Sequence, residues 1–181
     1  MCMITPSSRC YKWVAILLLI LATTITYLPV KDSEFIDLDD DVYVTDNPWI
    51  QQGLNLQSIS WSMTSFREGV WNPMTWISFM LDYQLFGLNP AGYHLTNLVL
   101  HLGSVLLLLG VLYRMTGEFW PSLLVAALFA LHPLNVESVA WVTERKNVLS
   151  TLFWMLSLQA YLEYLRKPVW KHYVGIMGFL I

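Results

Sequence analysis

An almost uninterrupted apolar run extends from Trp13 to Val30, near the N-terminus of the chain. A helix needs an apolar segment of about 20 residues to cross the ~30 Å hydrocarbon core of a bilayer. The composition agrees with a membrane environment, since 56% of the 181 residues are hydrophobic and 13% are charged, whereas soluble domains carry about 25% charged residues. The sequence therefore predicts a mostly α, polytopic transmembrane helical bundle.

The hydropathy pattern predicts up to five spans in a membrane domain that covers residues 1–181. They lie at approximately residues 13–30, 94–113, 120–134, 148–165 and 169–181. The first run is followed by no small-residue cleavage site, so we expect it to be a signal anchor. The last run reaches Ile181 before it is long enough to span a bilayer. We therefore expect this sequence to be the N-terminal part of a longer protein.

The positions of the basic residues predict the orientation of the spans. Most of them precede the first span, follow the second or separate the fourth from the fifth: Arg9, Lys12, Arg114, Arg166, Lys167 and Lys171. If the spans alternate, these residues share one side, which the positive-inside rule makes cytoplasmic. The N-terminus is then cytoplasmic and the loop 31–93 lies outside. The pair Arg145-Lys146 is an exception, because it falls on the outer side.

The outer loop, residues 31–93, carries nine acidic and two basic residues, and no nucleic-acid partner is expected. Apolar residues recur at helical spacing from Leu56 to Phe66. A second helix is predicted from Pro73 to Gly87, with Asn72 as its cap. Because both segments are too short to cross a bilayer, we expect them to lie flat at the membrane interface.

An acidic cluster follows the first span and consists of Asp37, Asp39, Asp40 and Asp41. Apolar residues interleave with it, which indicates a structured loop beside the membrane rather than a disordered tail. One such carboxylate could remove a proton from an acceptor hydroxyl, while a neighbour holds the acceptor or raises the pKa of the first. Two alternatives stay open: a solvated loop, and adjacent aspartates that bind a divalent cation through oxygen ligands.

Polar side chains recur on one face of the second span, at His94, Asn97 and His101. Polar residues inside a span usually face the bundle interior or a cavity. We expect these three either to form hydrogen bonds between helices or, for His94 and Asn97 near the outer end, to line a cavity beneath the acidic loop. A zinc site is not expected, because no third ligand of suitable spacing accompanies the histidines.

The segment after the third span carries His132, Glu137 and the basic pair Arg145-Lys146. Pro133 is expected to end the span, and Asn135 to cap a short helix that runs toward the basic pair. The pair either anchors the chain at the interface or binds the phosphate of a lipid-linked donor. In the second case the arginine offers a planar fork of donors and the lysine a point charge.

Several of these motifs resemble one family. They are the stretches Phe35–Tyr43, Asn47-Pro48, Asn72–Trp76, Leu85–Asn97, Phe129–Pro133, Glu137–Ala140 and Glu144–Lys146. In combination they are similar to the membrane O-mannosyltransferases that carry tetratricopeptide repeats, and to bacterial members in particular. The resemblance covers nearly the whole chain after Lys31.

This resemblance implies a multi-span glycosyltransferase of the C type, with interfacial helices in its large first outer loop. It also implies a C-terminal repeat domain that the 181 residues do not contain. The active site would face outward from a bacterial inner membrane. A polyprenyl-phosphate sugar would be the donor, mannose-like in the family pattern, and a protein or peptide hydroxyl would be the acceptor.

The resemblance also assigns residues. Asp39 and Asp40 match the acidic pair, so one of them would be the catalytic base, and a divalent metal, if the reaction needs one, would bind to them. His132 and Glu137 match the motif after the third span and are expected to line a cavity together with His94 and Asn97. Arg145 matches the basic position. No other cofactor is expected.

Two other functions fit the sequence less well. One is a non-catalytic membrane scaffold, in which the repeats bind partners and the outer loop is structural. The other is a transporter for a polyprenyl lipid, in which His94 and His101 would line a path. Because the polar residues cluster toward the outer half of the spans, a reaction at the membrane surface is favoured over a conduit.

Overall fold

The computed structural model describes residues 6–36 and 38–179, and every regular element in this part of the chain is helical. The α-helices are α1 (Pro6–Tyr27), α2 (Leu56–Thr64), α3 (Pro73–Phe86), α4 (Pro90–Thr116), α5 (Phe119–Leu131), α6 (Asn135–Ala140), α7 (Arg145–Arg166) and α8 (Trp170–Phe179). Short 3₁₀ turns occupy Leu28–Asp32 and Arg67–Gly69, and a π turn occupies Asp41–Thr45. The prediction of a mostly α fold is confirmed.

Two helical stretches among the described residues, Cys10–Asp32 and Pro90–Thr116, are long and apolar enough to cross a membrane. They correspond to the first two predicted spans. The 13 residues of α5 reach only about 20 Å, and α7 is long enough but carries polar and charged side chains along its length. The later spans, whose last residues 180–181 lie outside the described part, therefore stay predictions, as does the polytopic bundle.

The outer loop contains the two short helices expected from the sequence. Pro73 stands at the first position of α3, and Gly87, at a φ of 61°, ends it. The side chain of Asn72 forms no capping hydrogen bond, contrary to the expectation. Helix α2 is instead capped by Asn55, whose side chain accepts hydrogen bonds from two backbone N–H groups. Its apolar residue Leu56 is 88% exposed, a placement compatible with contact to a membrane interface.

The segment after α5 agrees with its expected form at the end of the helix and departs from it afterwards. Helix α5 ends at Leu131, with His132 as its C-cap immediately before Pro133, as expected. Asn135 is the first residue of α6 rather than its cap. Its side-chain amide donates a hydrogen bond to the Phe129 carbonyl at 2.6 Å. The short helix also ends at Ala140, so it does not reach the basic pair, and a separate helix begins at Arg145.

The outer loop has its own core, built around the buried side chains of α3. Tyr43 stacks on Trp76 with ring centroids 4.8 Å apart, and Trp61 meets Trp76 edge-on at 5.4 Å. Trp49 stacks in turn on Trp61 at 5.7 Å. Each aromatic pair contributes about 0.5–1.5 kcal/mol to stability beyond the area that it buries. These stacked rings therefore hold the acidic segment, residues 38–43, against α3.

Helix α4 is the centre of the described fold and packs against α1, α5 and α7. Two of its glycines allow α7 to approach closely. A Cβ atom added at Gly103 would lie 3.1 Å from a methyl carbon of Leu152, and one added at Gly110 would lie 2.9 Å from the side-chain amide of Gln159. The two contacts are seven residues apart on both helices, which is the spacing of a continuous helix–helix contact.

Replacing Gly103 by leucine is expected to destabilise the protein by about 1–3 kcal/mol, because the added side chain overpacks the α4–α7 contact. Thermal unfolding of the purified protein in detergent would measure the change. Gly178→Leu is the matched control, since a Cβ atom added there meets no atom within 4 Å. Equal stability of the two variants would contradict the close approach.

Candidate active site

Asp40 is the buried aspartate of the acidic cluster, with none of its surface exposed. Its Oδ1 accepts hydrogen bonds from the backbone N–H of Thr143, at 3.0 Å, and from the Thr143 hydroxyl. Its Oδ2 accepts from the Ile36 N–H at 2.9 Å. Since both carboxylate oxygens have partners inside the protein, Asp40 ties the loop after α1 to the segment before α7.

Asp39, the other aspartate of the matched pair, is exposed. Its carbonyl oxygen accepts a hydrogen bond from the Tyr43 N–H at 2.9 Å, which fixes the backbone at the start of the π turn. The charge of its carboxylate contributes to raising the pKa of the Lys146 ammonium. Asp37 lies outside the described residues. Of the matched pair, Asp39 is therefore the carboxylate open to a substrate.

Arg145 is fully buried, which departs from its expected role at a donor phosphate. Its guanidinium forms an ion pair with Asp82. It also donates to the side-chain oxygen of Asn97 at 2.8 Å and to the Tyr93 carbonyl at 2.7 Å. Because every nitrogen of the guanidinium already has a partner within the protein, Arg145 is placed to hold helices together rather than to bind a ligand.

Asp82 is the site residue that sequence reasoning missed. It lies on α3 and is 2% exposed, and its second oxygen accepts from the Thr96 hydroxyl at 2.8 Å. Burial raises the pKa of its carboxyl, while the charge and hydrogen bond of Arg145 act in the opposite direction. The sequence did contain a signal for Asp82, which is the one charged residue in a 14-residue helix. A carboxylate that is buried in such a helix needs a cation or hydrogen-bond donors to compensate its charge.

Lys146 points to the other side of α7 and is partly exposed. Its ammonium lies 2.9 Å from the Glu144 carboxylate. Burial lowers the pKa of this ammonium, but the hydrogen bond and charge of Glu144, together with the charge of Asp39, act in the opposite direction, and the pKa is raised. Lys146 is therefore a cation at neutral pH, available to an anionic ligand.

A cavity of about 320 Å³ opens beside Lys146. Its volume lies in the range of small-molecule sites, ~300–1,000 Å³. Two walls form it, one at the start of α3 and one on α7, and Phe179 of α8 adds to them. The lining residues are Trp71, Asn72, Pro73, Met74, Thr75, Lys146, Leu149, Ser150, Phe153, Trp154 and Phe179. The side-chain nitrogen of Asn72 is buried and has no hydrogen-bond partner in the protein. A ligand in this cavity would therefore meet a cation, an amide donor and aromatic walls.

His94 and Asn97, which the sequence placed along a cavity, do not line this one. Both are buried. The amide of Asn97 donates to the Trp141 carbonyl at 3.0 Å, while its oxygen accepts from Arg145. The ring nitrogens of His94 form no hydrogen bond of normal geometry. Asn97 thus matches the packing alternative, hydrogen bonds between segments, as does His101, which contacts the Ala130 carbonyl at 3.1 Å.

His132 and Glu137 also lie away from the cavity lining. Both side chains are exposed. The Nδ1 atom of His132 accepts a hydrogen bond from the Leu134 N–H at 3.2 Å, so it stabilises the turn between α5 and α6. Glu137 lies in the first turn of α6, where a negative charge interacts favourably with the positive end of the helix dipole. Neither residue lines the cavity beside Lys146, and their expected role at a cavity stays a prediction.

Asp39 and Asp40 are the residues considered as ligands of a divalent metal ion. Within residues 6–36 and 38–179, no three His, Cys, Asp or Glu side chains come together in a way that could hold one. Asp40 has no free carboxylate oxygen. Of the two aspartates considered for a metal, Asp39 alone could offer an unoccupied ligand.

Removing the hydroxyl of Thr143 is expected to weaken the attachment of the acidic segment. Thr143→Val keeps the side-chain shape and deletes one hydrogen bond to the Asp40 carboxylate, and such charged hydrogen bonds contribute about 1.5–3 kcal/mol. Hydrogen exchange is expected to be faster in this variant than in the unmodified protein at the backbone amides of Ile36 and Thr143. The control is Thr64→Val, an exposed position on α2; equal exchange in both variants would contradict the attachment.

The described residues define a helical protein with two helices suited to a membrane, and with an aromatic-lined cavity that contains the Lys146 side chain. The comparisons with known proteins point in the same direction. The chain is 31% identical over 138 residues to human protein O-mannosyl-transferase TMTC2, a match that covers 74% of this chain and 16% of the human protein. It is 36% identical over 105 residues to Drosophila melanogaster protein O-mannosyl-transferase Tmtc2, over 58% of this chain and 11% of that protein.

Human protein O-mannosyl-transferase TMTC4 is similar too, at 33% identity over 111 residues, which is 54% of this chain and 15% of that protein. The chain thus spans between 11% and 16% of the length of these three curated relatives. No protein-family model matches it, and no solved structure matches it. The homologues support the family that the sequence motifs indicate.

Proposed function

We propose that this protein is a membrane glycosyltransferase that moves a mannose-like sugar from a polyprenyl-phosphate donor to a hydroxyl group of a protein or peptide. The observation that carries the proposal is the Lys146 ammonium at an aromatic-lined cavity. The exposed carboxylate of Asp39 adds to it, because Asp39 precedes Asp40, whose side chain bonds to Thr143, three residues before Lys146. The names of the relatives, protein O-mannosyl-transferases, support the same reaction.

In the proposed reaction, Asp39 removes the proton of the acceptor hydroxyl while the hydroxyl oxygen attacks the anomeric carbon of the sugar. A new carbon–oxygen bond forms there, and the bond from the anomeric carbon to the phosphate oxygen breaks. The polyprenyl phosphate leaves with the electron pair. Lys146 stabilises the charge that develops on the leaving phosphate, and the proton passes from Asp39 to water.

The cavity supports binding of the donor headgroup. Lys146 supplies a positive charge and the amide of Asn72 a free donor, both suited to phosphate oxygens. Trp71, Phe153 and Trp154 supply apolar surface for the sugar face and the first part of the lipid chain. Asp40 takes no proton in this scheme, because its oxygens are occupied; it positions the backbone that carries Asp39.

The proposal includes a location and a topology. The protein would lie in a bacterial cell membrane, with its N-terminus in the cytoplasm and the site on the extracytoplasmic face. The basic residues Lys12 and Arg114 support this orientation, since they lie at the ends of α1 and α4 away from the acidic loop, and positive charges favour the cytoplasmic side.

A transfer assay with the full-length protein tests the proposed reaction. The protein is reconstituted in vesicles with a polyprenyl-phosphate mannose and a serine- and threonine-containing peptide. Asp39→Asn is expected to lower turnover by about 10²–10⁴-fold, the usual contribution of a general base, because an amide cannot take the acceptor proton.

The matched control is Asp46→Asn, which removes an exposed aspartate from the same loop and is expected to leave turnover unchanged. Full activity of Asp39→Asn would refute its role as the base, and no sugar transfer by the unmodified protein would refute the reaction. A parallel reaction with a chelator determines whether a divalent metal takes part.

A further inference from the structure

Arg145 and Lys146 are adjacent at the start of α7 but serve opposite sides of the helix. Lys146 lines the cavity, whereas Arg145 is directed into the protein and is fully buried. The ring of Phe79 lies 4.6 Å from the guanidinium carbon, and the ring of Tyr93 lies 5.8 Å from it. The buried guanidinium cannot contact a ligand. Arg145 can therefore affect the site only through the protein groups that it contacts.

The guanidinium of Arg145 joins three helices. It belongs to α7, its ion pair reaches Asp82 on α3, and its other hydrogen bonds reach Tyr93 and Asn97 on α4. Asp82 is itself held by the Thr96 hydroxyl of α4. The cluster of Asp82, Thr96, Asn97 and Arg145 therefore fixes α3 and α7 to the same turns of α4.

These two helices carry the two walls of the cavity. Asp82 lies nine residues from Pro73, which corresponds to about 14 Å along α3. Because an α-helix is stiff over that length, fixing Asp82 also fixes the wall at residues 71–75. Fixing Arg145 sets the direction of Lys146, one residue further along α7.

A contribution to stability is a weak explanation for the buried ion pair of Asp82 and Arg145. Apolar residues of similar volume often replace a buried ion pair without loss of stability, and the best-attested use of buried polar groups is to specify one arrangement of helices. We propose that the Asp82–Arg145 pair is a positioning device that sets the distance between the cavity walls and directs Lys146 toward a bound anion. The part of this inference that concerns substrate rests on the proposed function.

Spin labels on the two cavity walls test the positioning directly. In the full-length protein with all native cysteines replaced by serine, Cys2 and Cys10 among them, labels attached through Met74→Cys and Ser150→Cys report the distance between the walls by pulsed electron resonance. Both positions line the cavity and are exposed. One narrow distance distribution is expected, and Asp82→Asn is expected to broaden or shift it.

The matched control is Glu163→Gln. Glu163 pairs with Arg114 and so forms another ion pair between α4 and α7, at the far end of α7. It is expected to leave the distance between the labels unchanged. If Asp82→Asn fails to fold, the double variant Asp82→Met/Arg145→Met avoids a lone buried charge and is expected to show the same broadening. An unchanged distribution in the variants that fold would overturn the proposal.

Kinetics then separate positioning from general loss of structure. Asp82→Asn and Arg145→Lys are expected to raise the KM for polyprenyl-phosphate mannose by roughly tenfold or more, since small misplacements of binding groups weaken reactive geometry strongly. The KM for the acceptor peptide should change little. Equal increases in both KM values would contradict the role at the donor. Broadened distances in a protein without any transfer activity would support the positioning role and refute the proposed function.

Discussion

Replacing Arg145 by methionine is expected to lower the free energy of unfolding by about 3–5 kcal/mol, one of the two largest effects on stability expected in this protein. The reason is the charge that stays behind. Asp82 is 2% exposed, and without Arg145 its carboxylate retains only the hydrogen bond from Thr96. Asn97 and the Tyr93 carbonyl lose a donor as well.

Chemical or thermal unfolding of the purified protein in detergent measures this effect. Arg166→Met is the control, because Arg166 ends the same helix and is exposed. Adding Asp82→Met to Arg145→Met should restore much of the lost stability, since the double variant buries no charge. A loss of less than about 1 kcal/mol in the single variant would show that the ion pair is not buried in the way described.

Asp40→Ala is expected to destabilise the protein by about 3–5 kcal/mol, because three donors lose their acceptor at once. The N–H groups of Ile36 and Thr143 and the Thr143 hydroxyl all bond to this carboxylate. A buried donor left without a partner costs about 1–3 kcal/mol. The acidic segment should then separate from the start of α7, and transfer activity should fall with it.

Asp39→Ala, at the adjacent position, is expected to affect activity rather than stability. Its exposed side chain makes a stability change of less than about 0.5 kcal/mol the expected result, whereas activity should be lost. Measuring unfolding and turnover for both variants therefore separates the two aspartates. Loss of stability in Asp39→Ala, or unchanged stability in Asp40→Ala, would reverse the assignment of their roles.

The elements of the outer loop could be predicted because their signals are local. Pro73 and Gly87 bound α3 in the sequence as they do in the structure, since proline suits a first turn and glycine adopts the positive φ that ends a helix. The first two apolar helices follow likewise from hydropathy. The caps were less predictable, because whether Asn72 or Asn135 caps a helix depends on where the preceding backbone turns.

The sequence could not predict which residue of each charged pair is buried and which is exposed, because that depends on packing between distant segments. Asp39 and Asp40 have identical chemistry and adjacent positions, and only the fold decides that the second one meets Thr143. The partner of Arg145 lies 63 residues away on α3. No spacing rule connects two such positions, although a single carboxylate within an apolar helix is a reason to look for a buried cation.

In the segment from Thr143 to Lys146, buried side chains that bond to distant segments alternate with partly exposed side chains. Thr143 is tied to Asp40 and Arg145 to Asp82, while Glu144 and Lys146 form a partly exposed pair. The two anchors are two residues apart, so the chain between them has a fixed length. Inserting or deleting one residue here would exchange the inward and outward positions and bury the lysine. Homologous chains should therefore tolerate changes in side chain along this segment more readily than changes in its length.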